Sequence, residues 1–326
     1  MKSGEPGRLR RPRRGMRGSG GDVADGVARV VIAAGYGGPG VLAVAEEPVG
    51  EPGPGEARIE VRAAGVNPVD VKSYSGAFGA DPARLPIRLG AEAAGVVTAV
   101  GPGAEGPAGP VNAGDEVIAY RAPGAYASEL VVPGGAVVPK PPTLDWAQAA
   151  GLMVTGVTAW HLLTATSVSA GDTVLIHGGS GGVGLMTLQL AVIRGAKVVA
   201  TASPARHDLL AELGAVPVAY GPGLAERVAV AAPGGIDVAL DLVGTDEAWD
   251  TSLGLVPTAL GWPRSLRSAR GCRRASRCSA ARRAPIQAPR SGSAPGWTWP
   301  GSPGKGSCGL SSAGPSRWPR PRPRTA

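Results

Sequence analysis

The rhythm of hydrophobic and polar positions changes several times along this chain of 326 residues. From residue 27 onward, short runs rich in β-branched residues occupy 28–34, 57–63, 95–100, 116–120 and 126–132, separated by Gly, Pro and Asp. Several short strands at this spacing predict an all-β sandwich or barrel. Between the second and third runs, residues 63–76 (AAGVNPVDVKSYSG) read as a polar loop, and loops of this kind on a rigid β scaffold often carry the active site. A turn at 139–142 leads into an Ala-rich helical stretch over 146–164. Strand and helix then alternate over 173–176, 185–194, 197–201, 204–213, 216–220, 224–231 and 236–242. That alternation predicts a parallel, doubly wound α/β sheet with helices on both faces.

The densest signal lies where the first of those strands meets its helix, in the segment TVLIHGGSGGVG at 173–184. Gly179, Gly181 and Gly184 fit G-x-G-x-x-G, with Ser180, Gly182 and Val183 filling the motif. Without Cβ atoms these positions permit a tight turn, close approach of a pyrophosphate and packing of helix on strand. Phosphate oxygens would then meet the free N–H groups of the helix N-terminus.

Charge divides the chain into three. Residues 1–26 carry seven Lys/Arg against three acids, 27–256 carry twelve against twenty-two, and 257–326 carry fourteen against none. The net charge of +8 therefore averages an acidic body and two basic ends, and a nucleic-acid role would have to reside in those ends. No nucleic-acid-binding motif accompanies their arginines, so no nucleic-acid partner is expected. No run of 18 apolar residues occurs, which argues against a membrane span. All three cysteines, Cys272, Cys278 and Cys308, follow residue 257. The body thus lacks a disulfide, a thiolate nucleophile and a Cys-ligated zinc, and a cytoplasmic setting fits best.

Residues 1–26 have no apolar periodicity and read as a disordered basic extension, consistent with a start codon placed too far upstream. From Thr258 onward Val, Asp, Glu, Tyr, Phe, His and Met are all absent. Such a segment has too little core-forming material to offset the entropy of ordering it. A basic disordered tail is one reading; a GC-rich gene translated out of frame is the other, and the break in mid-fold favours it.

Four segments carry a resemblance: AGVNPVD at 64–70, LGAEAAGVV at 89–97, AGDEV at 113–117 and HGGSGGVG at 177–184. In order and spacing the chain resembles the medium-chain dehydrogenase/reductase superfamily, in particular its zinc-free NADPH:quinone oxidoreductases related to zeta-crystallin. The resemblance implies a GroES-like β-barrel domain over 27–145 and a Rossmann domain over 146–256 whose last part is missing, with a cleft between them. Where zinc-dependent alcohol dehydrogenases of the superfamily carry Cys and Gly-His-Glu, this sequence has Asn67 and Gly90-Ala91-Glu92, so neither zinc site is expected.

By the same resemblance, Asn67, Asp70 and Tyr74 are the catalytic candidates: Asn67 is a donor near the substrate oxygen, Asp70 holds its loop, and Tyr74 lies near Lys72 and Phe78, which stand where relatives have tyrosines. Thr158 would sit beside the nicotinamide ring, Tyr220 at the adenosine end, and Val243 in the same cofactor-binding set. No acid follows the second strand of the Rossmann unit; Ser203 reads as an N-cap before Pro204, placing Arg206 in the first helical turn. A neutral or basic neighbourhood suits a 2′-phosphate, so NADP(H) is expected over NAD(H). The function implied is hydride transfer to a small-molecule quinone or conjugated enone. The alternative is a defective or non-catalytic NADP-binding relative, and a homodimer is the family's usual assembly. His161 and His207 are expected to be packing or surface residues, and His177 to serve backbone geometry.

Overall fold

The computed structural model describes residues 26–256 and the backbone of a strand at Ser279–Arg282. Its N-terminal half is β-rich. β1 (Val27–Ala33) pairs antiparallel with β2 (Leu42–Pro48) and with the short β4 (Ile87–Arg88). A second sheet holds β3 (Glu56–Ala64), β5 (Glu92–Val100), β8 (Glu116–Tyr120), β9 (Glu129–Pro133) and β10 (Val137–Pro139), in the order β10-β8-β5-β3-β9. A bridge from Val30 to Ala127 ties β1 to the segment ahead of β9, while β6 (Glu105–Gly106) and β7 (Gly109–Pro110) form a separate two-stranded ribbon. Ala57, Ile59, Val97, Val117 and Val132 pack together inside, and Arg58 faces outward to bond Glu51 at 3.0 Å.

β2 escaped sequence analysis for a physical reason. None of its seven residues is buried, so no apolar alternation marks it, and backbone pairing with β1 holds it in place. The stretch read as a polar loop contains a helix, α1 (Pro68–Tyr74). Its start follows local chemistry: Asn67 sits at the N-cap, Pro68 at the first turn, and Asp70 accepts from the Asn67 N–H at 2.8 Å.

Two helices replace the one expected over 146–164: α2 (Trp146–Ala150) ends at Gly151, and α3 (Met153–Ala165) follows. The nucleotide-binding region is then built from β11 (Thr173–His177), α4 (Gly182–Ile193), β12 (Lys197–Ala202), α5 (His207–Glu212), β13 (Ala215–Ala219), α6 (Leu224–Ala231), β14 (Val238–Asp241) and α7 (Asp246–Leu255). β13, β12, β11 and β14 are parallel neighbours in that order. Val174 and Ile176 pack with Leu188 of α4 and Leu210 of α5, whereas Leu175 packs with Leu224 and Val228 of α6. Burial on both faces explains why these strands are almost uniformly apolar in sequence. The sheet is doubly wound, as its alternation predicts.

β15 (Ser279–Arg282) pairs antiparallel with β14, from Val238 opposite Arg282 to Asp241 opposite Ser279. The N–H and C=O groups along that edge of β14 thus have a partner strand. The readings made for residues 1–25 and for the rest of 257–326 lie outside the described residues. Among the described residues no helix is long and apolar enough to cross a membrane.

Candidate functional site

β11 stops at His177 and the chain turns through Gly178–Gly181 into α4. Gly178 adopts φ +77°, a conformation that L side chains rarely take, and its N–H donates to Thr201 Oγ1 at 3.1 Å. Gly179 donates to the Thr201 carbonyl at 2.9 Å, so the turn is stitched to the end of β12. A Cβ at Gly179 would lie 2.7 Å from Ala200 Cβ, and one at Gly184 would strike the Gly178 carbonyl oxygen. Gly181 and Gly182 are exposed, Ser180 and Val183 half-buried. The first amides of a helix have no intrahelical acceptor, so α4 opens on donors that nothing within the helix satisfies. The turn is a cradle that Cβ atoms would fill, and it fits a pyrophosphate.

The remaining cofactor candidates, Thr158 on α3 apart, lie on the segments that follow the C-terminal ends of the neighbouring strands. Ser203 caps a 3₁₀ turn (Pro204–Arg206) after β12 without a side-chain cap bond, and α5 begins only at His207. Arg206 is therefore exposed at the end of that turn, one step ahead of the helix in which it was expected. Tyr220 follows β13 and is exposed, while Val243 follows β14 with its N–H bonded to Asp241 Oδ1 at 2.9 Å. Val243 also lines the glycine turn, since a Cβ at Gly178 would come within 2.6 Å of Val243 Cγ1. Thr158 is half-buried on α3 and donates to the Val154 carbonyl at 2.6 Å.

In the barrel domain, Asn67, Asp70, Glu92 and Tyr126 form one buried or half-buried hydrogen-bonded set. Asn67 Nδ2 donates to Glu92 Oε1 at 2.9 Å, and the Tyr126 hydroxyl donates to Asp70 Oδ2 at 2.8 Å. Burial first, and the bonded Asp70 carboxylate second, push the Tyr126 phenol far above the usual tyrosine range. Tyr74 lies elsewhere, buried with Ala33 and Leu89 in an apolar cluster that Tyr126 borders. Phe78 is exposed and His161 is exposed; His207 reaches the Ala202 carbonyl at 3.3 Å.

Glu92 connects this set to the nucleotide-binding half. Its Oε2 accepts the Val154 N–H of α3 at 2.7 Å, and one residue further on Thr155 Cγ2 lies 3.1 Å from where a Cβ of Gly182 would be. The Asn67 amide is thus linked through Glu92 and the first turn of α3 to the glycine turn. The arrangement can hold a dinucleotide by its phosphates and face it with polar groups from the barrel.

Comparison with known proteins agrees with the fold. The family described as "Alcohol dehydrogenase GroES-like domain" matches residues 53–142, and that described as "Zinc-binding dehydrogenase" matches residues 182–259. A quinone oxidoreductase of Pseudomonas aeruginosa is 36% identical over 236 residues, covering 71% of this chain and 70% of that protein. The chain belongs to the quinone oxidoreductase family of medium-chain dehydrogenases/reductases. Among solved structures, the Escherichia coli quinone oxidoreductase complexed with NADPH matches with a TM-score of 0.63 and 31% identity, covering 70% of each chain. A spectinabilin polyketide synthase system protein of Streptomyces orinoci is 39% identical over 222 residues, 66% of this chain, which spans only 10% of that protein.

Within this quinone oxidoreductase-family chain, sequence reasoning passed over Glu92, Tyr126, Thr201 and Asp241. A signal existed for two of them: Glu92 is the lone charge in the apolar run 89–97, and Asp241 the lone acid in β14. Tyr126 and Thr201 carry no such mark, because their partners lie 56 and 23 residues away.

His177 is 1% exposed, and its Nε2 lies 3.1 Å from Ser252 Oγ, whose own proton goes to the Ala248 carbonyl at 2.7 Å. The Nε2–H tautomer satisfies both bonds. Burial lowers the His177 pKa from 6.5, with Asp241 and Glu247 opposing the shift. The unfolded chain therefore takes up this proton first as pH falls, and stability is lost as pH drops below about 6.5. Between about pH 7 and about pH 5 the thermal midpoint is expected to fall, and to fall less in His177→Gln, which cannot titrate.

Proposed function

We propose that this chain is an NADPH-dependent oxidoreductase that reduces a quinone or a conjugated enone without zinc. The observation that carries the proposal is the link from Asn67 through Glu92 and Val154 to the glycine turn, which brings a polar barrel loop to a dinucleotide cradle. NADPH, when bound, supplies the hydride. Gly179, Gly181 and Gly184 keep the turn low enough for the pyrophosphate, and Val243 packs beside it. Arg206, exposed after β12 with no acid between Thr201 and His207, would meet the 2′-phosphate. Tyr220 would flank the adenosine and Thr158 the nicotinamide. Asn67 has a second Nδ2–H beyond the one given to Glu92, available to an oxygen on which negative charge grows. Asp70 holds the backbone of Asn67 and the Tyr126 hydroxyl, while Tyr74 serves packing and leaves the proton to come from solvent.

The zinc-independent reading is supported by the donor set. Asn67 and Ala91 stand where zinc-dependent relatives have Cys and His, and the Asn67 amide already donates to Glu92. The matched segment 182–259 contains no cysteine. A small-molecule substrate is proposed, and a homodimer remains part of the proposal on family grounds.

The test is NADPH oxidation with benzoquinone and with a simple enone, run beside NADH. Turnover that favours NADPH is expected, and Arg206→Ala should narrow the NADPH/NADH ratio by about 10- to 100-fold, since a hydrogen bond to a charged group contributes about 1.5–3 kcal/mol. NADPH binding with no turnover on either acceptor would leave a non-catalytic NADP-binding relative instead.

A further inference from the structure

Glu92 is fully buried at 0% exposure, and each of its oxygens accepts from a neutral donor: Oε1 from Asn67 Nδ2 at 2.9 Å and Oε2 from the Val154 N–H at 2.7 Å. None of the ion pairs among the described residues involves it. A buried carboxylate that only accepts is costly unless donors surround it, so its retention in the apolar run 89–97 calls for a reason. The space around it is tight: a Cβ at Gly65 would strike Glu92 Oε1 and lie 2.5 Å from both Glu92 Cγ and the Ala150 carbonyl oxygen.

We infer that Glu92 is a positioning residue that selects the orientation of the Asn67 amide and fixes that amide to the first turn of α3. An asparagine side chain has a donor end and an acceptor end of nearly the same shape, and packing alone distinguishes them poorly. A carboxylate, which can only accept, forces Nδ2 toward itself. With its other oxygen held by a backbone amide that cannot move without α3, Glu92 sets orientation and position together. The inference rests on the reductase reading for its kinetic consequence, but not for its geometry.

Glu92→Gln keeps the shape and inverts half of the logic. The glutamine carbonyl oxygen stays on the Val154 N–H, the glutamine NH₂ then faces Asn67, and the Asn67 amide must turn to offer Oδ1. Both bonds at position 92 can be satisfied, so the fold is retained while the Nδ2 group is displaced. The expected result is a fall in kcat of about 10- to 100-fold with the KM for NADPH within about 3-fold, because a small misplacement of a reacting-centre contact affects the transition state more than cofactor binding.

The orientation itself can be read without turnover. The chain has two asparagines, Asn67 and Asn112, so selective ¹⁵N labelling of asparagine gives two side-chain amides. Asn67 is 6% exposed and Asn112 is exposed. In the unmodified full chain the Asn67 amide protons should exchange slowly with solvent and Asn112's rapidly, and Glu92→Gln should move the Asn67 pair alone. Asn67 protons that exchange as fast as those of Asn112, or that do not shift in Glu92→Gln, would overturn the inference. So would an unchanged kcat in an active enzyme. An unmodified chain without turnover sinks the reductase reading, while the amide spectrum still decides the role of Glu92. Should Glu92→Gln fail to fold, the pair Asn67→Asp with Glu92→Gln exchanges donor and acceptor and restores both bonds. Recovery of folded protein then supports a direct Asn67–Glu92 contact, and failure of the pair overturns it.

Discussion

Gly184→Ala should lose both stability and NADPH binding, whereas Gly181→Ala should lose binding alone. A methyl group at Gly184 meets the Gly178 carbonyl oxygen and lies 2.8 Å from the Gly179 C and Cα atoms, all of them backbone that no rotamer change can move. Relief requires the turn to lift from α4, at the expense of the packing that seats the helix on β11. Overpacking of this kind costs about 1–3 kcal/mol, and Gly184→Val should lie beyond that range. At Gly181 the backbone has φ −76° and the nearest atom to an added Cβ is the Gly178 carbonyl oxygen at 3.5 Å, an ordinary contact. The folded chain accepts that methyl, but it projects from the exposed side of the turn, where a pyrophosphate would approach. The expected outcome is a thermal midpoint near that of the unmodified chain, with NADPH affinity lowered about 10-fold or more, roughly the loss of one good phosphate contact. NADPH titration by fluorescence beside a melting curve separates the two variants. If Gly181→Ala binds NADPH as the unmodified chain does, the phosphates do not lie on this turn.

The same contrast shows how much the sequence disclosed. Gly179, Gly181 and Gly184 were visible because their requirement is local: a strand, a turn and a helix within a short span, each with its own compositional mark. The parallel sheet was equally legible, since strands buried on both faces become short apolar runs. α1 was readable in principle from Asn67, Pro68 and Asp70, yet the polar composition of 63–76 favoured a loop. Arg206 falls ahead of the helix that the sequence assigns it to, because Pro204 opens a 3₁₀ turn before α5 as readily as it opens the helix itself. What no local pattern could yield is the polar set around Asn67. Glu92 is 25 residues from Asn67 and 62 from Val154, and Tyr126 is 56 from Asp70. Those pairings exist only after the barrel sheet has brought β5, the segment before β9 and α1 together. They depend on topology rather than periodicity.

Asp70→Ala and Asp70→Asn should differ sharply, although both remove the charge. Asp70 Oδ2 accepts from the Asn67 N–H and from the Tyr126 hydroxyl, both at 2.8 Å. Asparagine can place its Oδ1 where that oxygen lies and keep both bonds, whereas alanine leaves two donors without an acceptor. Each buried donor left unpaired costs about 1–3 kcal/mol, and the half-buried hydroxyl belongs at the low end of that range. A loss of roughly 2–4 kcal/mol is therefore expected for alanine, and a much smaller one for asparagine. The phenol reports the difference spectroscopically. With the carboxylate gone, Asp70→Asn should bring the Tyr126 pKa down toward that of an ordinary tyrosine, leaving mainly the effect of burial. Because that pKa is raised in the folded chain, the unfolded chain gives up the proton first, and stability should fall as pH rises above about 10. Asp70→Asn should make that alkaline loss shallower in a denaturant series. Equal destabilisation by alanine and asparagine would show that the negative charge, and not the shared acceptor, holds the Asn67 loop in place.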